Sequence, residues 1–247
     1  MKDKYDIKSI KNNLIADLRA FVARAGFTDV TFGLSGGMDS ALVLALACEA
    51  LGPRHVHTMM MKAEHTSQLS IDLANELAKN FGNYHETIDI QPLVDAVNQT
   101  LLFVPKKGVT MENIQARVRG ILCMTYSNEF GRMVLACSNK SEIMTGYCTL
   151  YGDTCGAVFP LGDLYKTQVY EMAELYPQIP RAIITRPATA ELSPGQLDSD
   201  SLPPYEILDP ILQDIERGDP MASGAIKHLC LSMEFKRAQM PPVIKVR

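Results

Sequence analysis

Val30 to Ser40, reading VTFGLSGGMDS, constrain the fold of this chain more than any other stretch. A short apolar run rich in β-formers ends in Gly-Leu-Ser-Gly-Gly, and Met38 to Leu51 are helix formers closed by a glycine, an order that predicts strand, glycine turn and helix. Such a turn points several backbone N–H groups into one concavity at a helix N-terminus, where the helix dipole favours an anion, above all a phosphate. Gly36 and Gly37 let the backbone approach a ligand with no Cβ in the way, and the Ser35 and Ser40 hydroxyls add donors. An ordinary strand-to-helix turn with capping serines is the plainer reading. Asp39 argues against it. A carboxylate inside a phosphate loop repels its ligand unless a hard cation such as Mg2+ stands between them. The stretch is neither GxxxxGK[ST] nor GxGxxG.

The rest of the chain alternates strands and helices. Ile7, Ile10, Leu14, Leu18, Phe21 and Val22 mark an amphipathic first helix that Gly26 stops. His55 to Met61 reads as a second strand, Thr66-Ser67 as the cap of a helix with a Leu69, Leu73, Leu77, Phe81 stripe, and Tyr84 to Ile90 as a third strand. Leu93 to Leu102 and a long segment from about Asn113 read as helices, and Met133 to Cys137 as a fourth strand. This alternation predicts an α/β fold, a doubly wound parallel sheet with flanking helices and right-handed crossovers. Ligands then sit beyond the carboxyl ends of the strands. There the glycine loop, Met59 to Lys62 and Ser138 to Glu142 are expected to meet, with Met59 to Met61 facing either an adenine or the core. Pro105 to Asn113 and Ser193 to Pro204 read as mobile loops, either lids or plain surface.

Composition narrows the function classes. With 247 residues, 47% hydrophobic and 21% charged, the chain is expected to form one globular domain, residues 1–247. A net charge of -4 argues against a nucleic-acid partner, and no apolar run approaches a membrane span. The N-terminal MKDKYDIKSIKNNL lacks the apolar core of a signal peptide, and the six cysteines form no CxxC pair, so a cytoplasmic protein with reduced thiols is expected rather than a zinc or disulfide framework. His57 and His65 lack metal spacing.

The densest polar cluster is Ser138 to Asp153, SNKSEIMTGYCTLYGD, in which Glu142 and Asp153 are candidate ligands of Mg2+ or substrate and Glu142 can share a cation with Asp39. Lys166 follows at the start of another predicted helix, where a solvated face would use lysine equally well.

SGGMDS resembles the pyrophosphate loop of the N-type ATP pyrophosphatases. NIQARVRG (Asn113 to Gly120), the Ser138 to Asp153 cluster, PLGDLYKTQVYEMAEL (Pro160 to Leu175), PATAEL (Pro187 to Leu192) and EFKRAQMPP (Glu234 to Pro242) follow in the order found in NAD synthetases, over nearly the whole chain. The resemblance implies an adenine nucleotide alpha hydrolase-like fold and ATP-dependent amidation of deamido-NAD to NAD. By it, Gly33, Leu34, Ser35, Gly36, Gly37, Met38, Asp39 and Ser40 would wrap the ATP phosphates, with Cys137, Lys166 and Thr189 also on ATP. Asp39 and Glu142 would hold Mg2+, and Asp39 and Lys166 would be catalytic. Arg117, Tyr147, Asp153, Phe235 and Lys236 would face deamido-NAD. Three positions depart from the family pattern: Cys137 stands where threonine is common, Leu150 where lysine is common and Ala157 where an acidic residue is common. The last two bear on deamido-NAD contacts.

A carboxylate is a poor acyl acceptor for ammonia, so the nicotinate carboxylate would first attack the α-phosphorus to give an acyl-adenylate and pyrophosphate, which the loop would hold. Ammonia would then attack the mixed anhydride. Glutamine-using NAD synthetases carry an amidohydrolase domain ahead of the synthetase; here one helix precedes the glycine loop, so ammonia is the expected donor, with a separate glutaminase as a possible partner. The resemblance also implies a homodimer, with Ile114, Val118, Ile121, Leu122 and Met124 as a candidate seam and Arg117 near the partner's substrate. A tRNA-modifying enzyme would call for a basic appended domain or a cysteine pair, and a non-catalytic nucleotide-binding module would not call for Asp39, Glu142 and Lys166 together.

Overall fold

The computed structural model describes residues 5–222 and 224–237; the Ala238 to Pro242 part of the EFKRAQMPP block lies outside them. In order, the elements are α1 (Ile7–Arg24), β1 (Val30–Gly33), α2 (Met38–Leu51), β2 (Val56–Lys62), α3 (Gln68–Phe81), β3 (Tyr84–Asp89), α4 (Gln91–Thr100), α5 (Gly108–Phe130), β4 (Met133–Val134), α6 (Lys140–Thr145), α7 (Lys166–Ala173), α8 (Arg181–Thr185), α9 (Tyr205–Glu216), α10 (Gly224–Ser232) and α11 (Glu234–Arg237).

The four strands are parallel and ordered β3-β2-β1-β4, with Gly33 beside Met59 and Val30 beside Met133. Side chains alternate across this sheet as a strand requires. Val30, Phe32, Val56 and Met60 pack with α1, α2, α3, α7 and α8, whereas Met59, Met61 and Val134 pack with α4 and α5. The expected doubly wound sheet is therefore present, and α2, apolar all round, is buried nearly throughout.

The order places the topological switch between β1 and β4. The glycine loop leaves one of these strands and the approach to α6 leaves the other, so Asp39 and Glu142 meet beyond the sheet although they lie far apart in the chain.

Several local expectations are corrected. α5 begins at Gly108, not near Asn113: its first two turns stand at the mouth of the cleft, where Val109, Glu112 and Asn113 line open space and need no apolar stripe. β4 is limited to Met133 and Val134: Leu135 N–H still donates to the Thr31 carbonyl of β1 at 3.0 Å, but on its other side Leu135 bridges Val158, and Ala136 N–H donates to the Val158 carbonyl. Leu69 is exposed, since α3 turns Ser70, Leu73, Ala74 and Leu77 inward. The candidate dimer seam shrinks as well: Val118 is buried, Ile114 and Leu122 pack against the β2–α4 cluster, and Ile121 and Met124 remain exposed.

Candidate active site

Beyond the switch point lies a cavity of about 530 Å³. The glycine loop forms one wall. Ser40 Oγ donates to the Gly37 carbonyl at 3.2 Å and accepts from Ser35 N–H at 3.2 Å, so the two serines brace the turn. Gly37 precedes α2 with no side-chain cap, leaving the first-turn amides to face the cleft. Gly36 has φ +75°, and a Cβ there would sit 2.4 Å from the Ser70 carbonyl oxygen, so α3 seals the back of the loop.

The charged centre joins three elements. Lys166 Nζ, on a side chain buried at the first residue of α7, donates to Asp39 Oδ2 and, at 3.3 Å, to Glu142 Oε1. Asn139, fully buried, caps α6 reciprocally with Glu142 and reaches across to Asp39 Oδ1 at 2.9 Å. Asp209 of α9 stands behind them: one oxygen accepts from Ser141 Oγ at 2.6 Å and the other from Thr167 N–H at 2.8 Å, while Ser141 Oγ accepts from Lys166 N–H at 3.0 Å. The clip fixes the start of α7, and with it the lysine.

Electrostatics follow from this geometry. Burial, then the neighbouring Asp39 charge, pushes the Glu142 carboxyl up to about 8, although Lys166 opposes both. Burial works against the Lys166 ammonium, but Asp39 and Glu142 outweigh it and hold the lysine protonated above its ordinary range. Two acidic side chains sharing one ammonium form a hard-oxygen pair beside the glycine turn, a donor set that suits Mg2+ if phosphate oxygens complete it. Among the described residues no three acidic, histidine or cysteine side chains cluster as a complete metal cage.

Of the other expected site residues, Cys137, Thr189, Tyr147, Asp153 and Lys236 line the cavity with Gly33, Leu34, Ser35, Gly37, Met38 and Ser40. Lys236 Nζ donates to the Gly146 and Cys148 carbonyls at 2.7 Å, closing the end of α6, and Thr189 Oγ1 donates to the Gln196 carbonyl. Arg117 and Phe235 are exposed outside the cavity wall, Arg117 donating to the Leu150 carbonyl at 3.2 Å. The stretch from Arg186 to Ser201, which contains much of the second expected loop, forms the opposite wall. There Glu191, at φ 47°, accepts from Ser67 Oγ and Arg186, while Asp198 accepts from the Tyr147 and Tyr205 hydroxyls. Asn139 lies in the Ser138 to Glu142 stretch expected at the site, but its own role was not anticipated, nor were Asp198 and Arg119 as site residues. The N-x-x-E capping spacing of Asn139 and Glu142 was the one signal available.

Fold and site together define an α/β domain of the ATP pyrophosphatase superfamily, with an adenine nucleotide alpha hydrolase-like sheet and a glycine loop at its switch point. Comparison with known proteins narrows this. The family described as NAD synthase matches residues 10–240. A glutamine-dependent NAD(+) synthetase of Rhodobacter capsulatus is 42% identical over 265 residues, covering 96% of this chain and 48% of the relative. One from Thermotoga maritima is 46% identical over 254 residues, covering 94% and 44%. Among solved structures, NMN synthetase from Francisella tularensis superposes with a TM-score of 0.84 at 28% identity, covering 95% and 97% of the two chains. NH3-dependent NAD synthetase from Campylobacter jejuni superposes at 0.79 and 26%, covering 98% and 100%. The chain belongs to the NAD synthase family. It spans about half the length of the curated relatives it matches.

Proposed function

We propose that this chain, as a single synthetase domain, amidates deamido-NAD to NAD with ATP and ammonia, by way of an acyl-adenylate and with release of AMP and pyrophosphate. The observation that carries the reading is the convergence of Asp39, Glu142 and Lys166 at the open end of the glycine loop. The loop amides and serines bind the β- and γ-phosphates. Lys166, held by the Asp209 clip, places a fixed positive charge where the α-phosphoryl oxygens gain charge. Asp39 and Glu142 would hold Mg2+, which offsets phosphate charge during the displacement. Tyr147, Asp153 and Lys236 line the end of the cavity assigned to the nicotinate nucleotide.

Ammonia is read as the species this domain itself takes up, because none of its own thiols is poised to hydrolyse glutamine. Glutamine hydrolysis by a cysteine needs a thiolate, and burial raises all six cysteines, Cys48, Cys123 and Cys148 to about 12. The glutamine-dependent relatives make a separate glutaminase a plausible source of that ammonia. The six cysteines are free, which suits the cytoplasm, and no helix among the described residues is long and apolar enough to cross a membrane. Ile121 and Met124 support a homodimer, for which light scattering is the check: fully active enzyme at about 27 kDa would rule it out.

A second reading is amidation of the shorter mononucleotide. Leu150 and Ala157 remove charged side chains, and the superposition on an NMN synthetase extends along both chains. Radiolabelled ATP separates the two. Pyrophosphate release that depends on deamido-NAD supports the first reading, release that depends on nicotinate mononucleotide supports the second, and release that depends on tRNA or on neither overturns both.

A further inference from the structure

Arg119 is a half-buried cation with one enclosed nitrogen whose hydrogen bonding is incomplete. It projects from α5 into the cavity wall among Gly33, Met59, Met61 and Cys123. Its Nε donates to the Met61 carbonyl at 3.0 Å, while Nη1 is shut off from solvent and has no partner among the described residues. Burial lowers this guanidinium to about 10, so it stays charged at neutral pH. A desolvated charged donor left unpaired is costly, and such groups concentrate where a ligand completes them.

The other basic residue on this side differs. Arg186 donates to Ser70 Oγ at 2.9 Å and to Glu191 Oε1 at 2.7 Å, so its guanidinium is occupied by the protein. Holding the Met61 carbonyl needs one donor, whereas arginine supplies five in a fixed plane. The surroundings indicate what the spare donor meets. The phosphate loop begins at the neighbouring strand end, and the wall beside it is thioether and thiol, with the Glu191 carboxylate acting on the guanidinium through its charge but not bonded to it. Met61 can move: its Cε would sit 2.9 Å from a Cβ on Gly33, so this flexible side chain overhangs the start of the loop and yields at little cost. An apolar slot with one charged donor at its edge suits a flat heteroaromatic ring that carries acceptor nitrogens.

We propose that Arg119 is a specificity residue that reads the nucleobase, its guanidinium donating to a ring nitrogen of the adenine of ATP seated against Met59 and Met61. The inference rests on ATP being the nucleotide, and it is independent of which acid is amidated.

The test is calorimetric binding of α,β-methylene-ATP with Mg2+, and of its 1-deaza, 3-deaza and 7-deaza counterparts, to wild type, Arg119→Met and Arg119→Lys, with no acyl acceptor present. One deaza compound should bind wild type about tenfold or more weakly than the parent, and Arg119→Met should bind the two alike. Equal binding of all four compounds to wild type would overturn the proposal, as would a deaza penalty that persists in Arg119→Met. The wild-type series needs no variant and stands if Arg119→Met misfolds, which its thermal melt reports. Should the deaza penalty be found while no acid is amidated, the reading of Arg119 holds and the proposed reaction fails; the reverse outcome separates them equally.

Discussion

The Asn139 amide donates to Asp39 Oδ1 at 2.9 Å while its own carbonyl accepts from Glu142 N–H at 3.0 Å, so one fully buried side chain orients both acidic residues across the switch point. Asn139→Ala removes a helix cap and the cross-link together. Stability should fall by about 1–2 kcal/mol, and the KM for Mg2+-ATP should rise. Urea unfolding with steady-state kinetics checks both, and wild-type values for each would show that the link is incidental.

Lys166→Met leaves Asp39 and Glu142 facing each other without their shared ammonium. An uncompensated buried pair costs about 3–5 kcal/mol, some of which is recovered because Glu142 can take up a proton. Turnover should drop on the order of 100- to 1,000-fold, mainly in kcat if the lysine acts on the transition state. A change confined to KM would instead make it a ground-state binder.

The raised Glu142 carboxyl makes a signed prediction for pH. Its folded value, about 8, lies above the ordinary 4.5, so the folded state holds a proton that the unfolded chain has released. This contribution to stability is fully present below about pH 4.5 and is lost as pH rises through about 8. Glu142→Gln should flatten that decline in ligand-free protein, as read by thermal melts from pH 5 to 8. Mg2+-ATP binding should in turn release a proton in this range, visible as a buffer-dependent heat. A wild-type slope unchanged in Glu142→Gln would assign the pH dependence to another group.

Gly36→Ala tests the closed back of the loop. Its φ of +75° is strained for alanine and the new Cβ would sit 2.4 Å from the Ser70 carbonyl oxygen, so α3 must move. We expect a loss of about 1–3 kcal/mol together with weakened ATP binding, read by thermal melting and calorimetry. Gly82→Ala, also at positive φ but with nothing within 4 Å of its Cβ, should lose stability without losing ATP affinity.

The strand, turn and helix around Ser35 to Ser40 were legible because each local preference there agrees with the sheet. The start of α5 was not, because Val109, Glu112 and Asn113 face a cavity and show no apolar period. Arg119 stood in the sequence only as one letter of NIQARVRG, since a charged residue on a helix carries no mark of burial. The Arg186 to Ser201 wall was hidden for a related reason. Its order comes from side chains of distant elements, such as Ser67 on Glu191 and Tyr205 on Asp198, so composition alone suggested a mobile loop, lid or plain surface.

Asp209 belongs to α9, yet it holds Ser141 of α6 and the first amides of α7. During translation the glycine loop, Glu142 and Lys166 all leave the ribosome well before it does. A nascent chain therefore holds Asp39, Glu142 and Lys166 before it holds the residue that pins the start of α7, and that start is set only once α9 has docked.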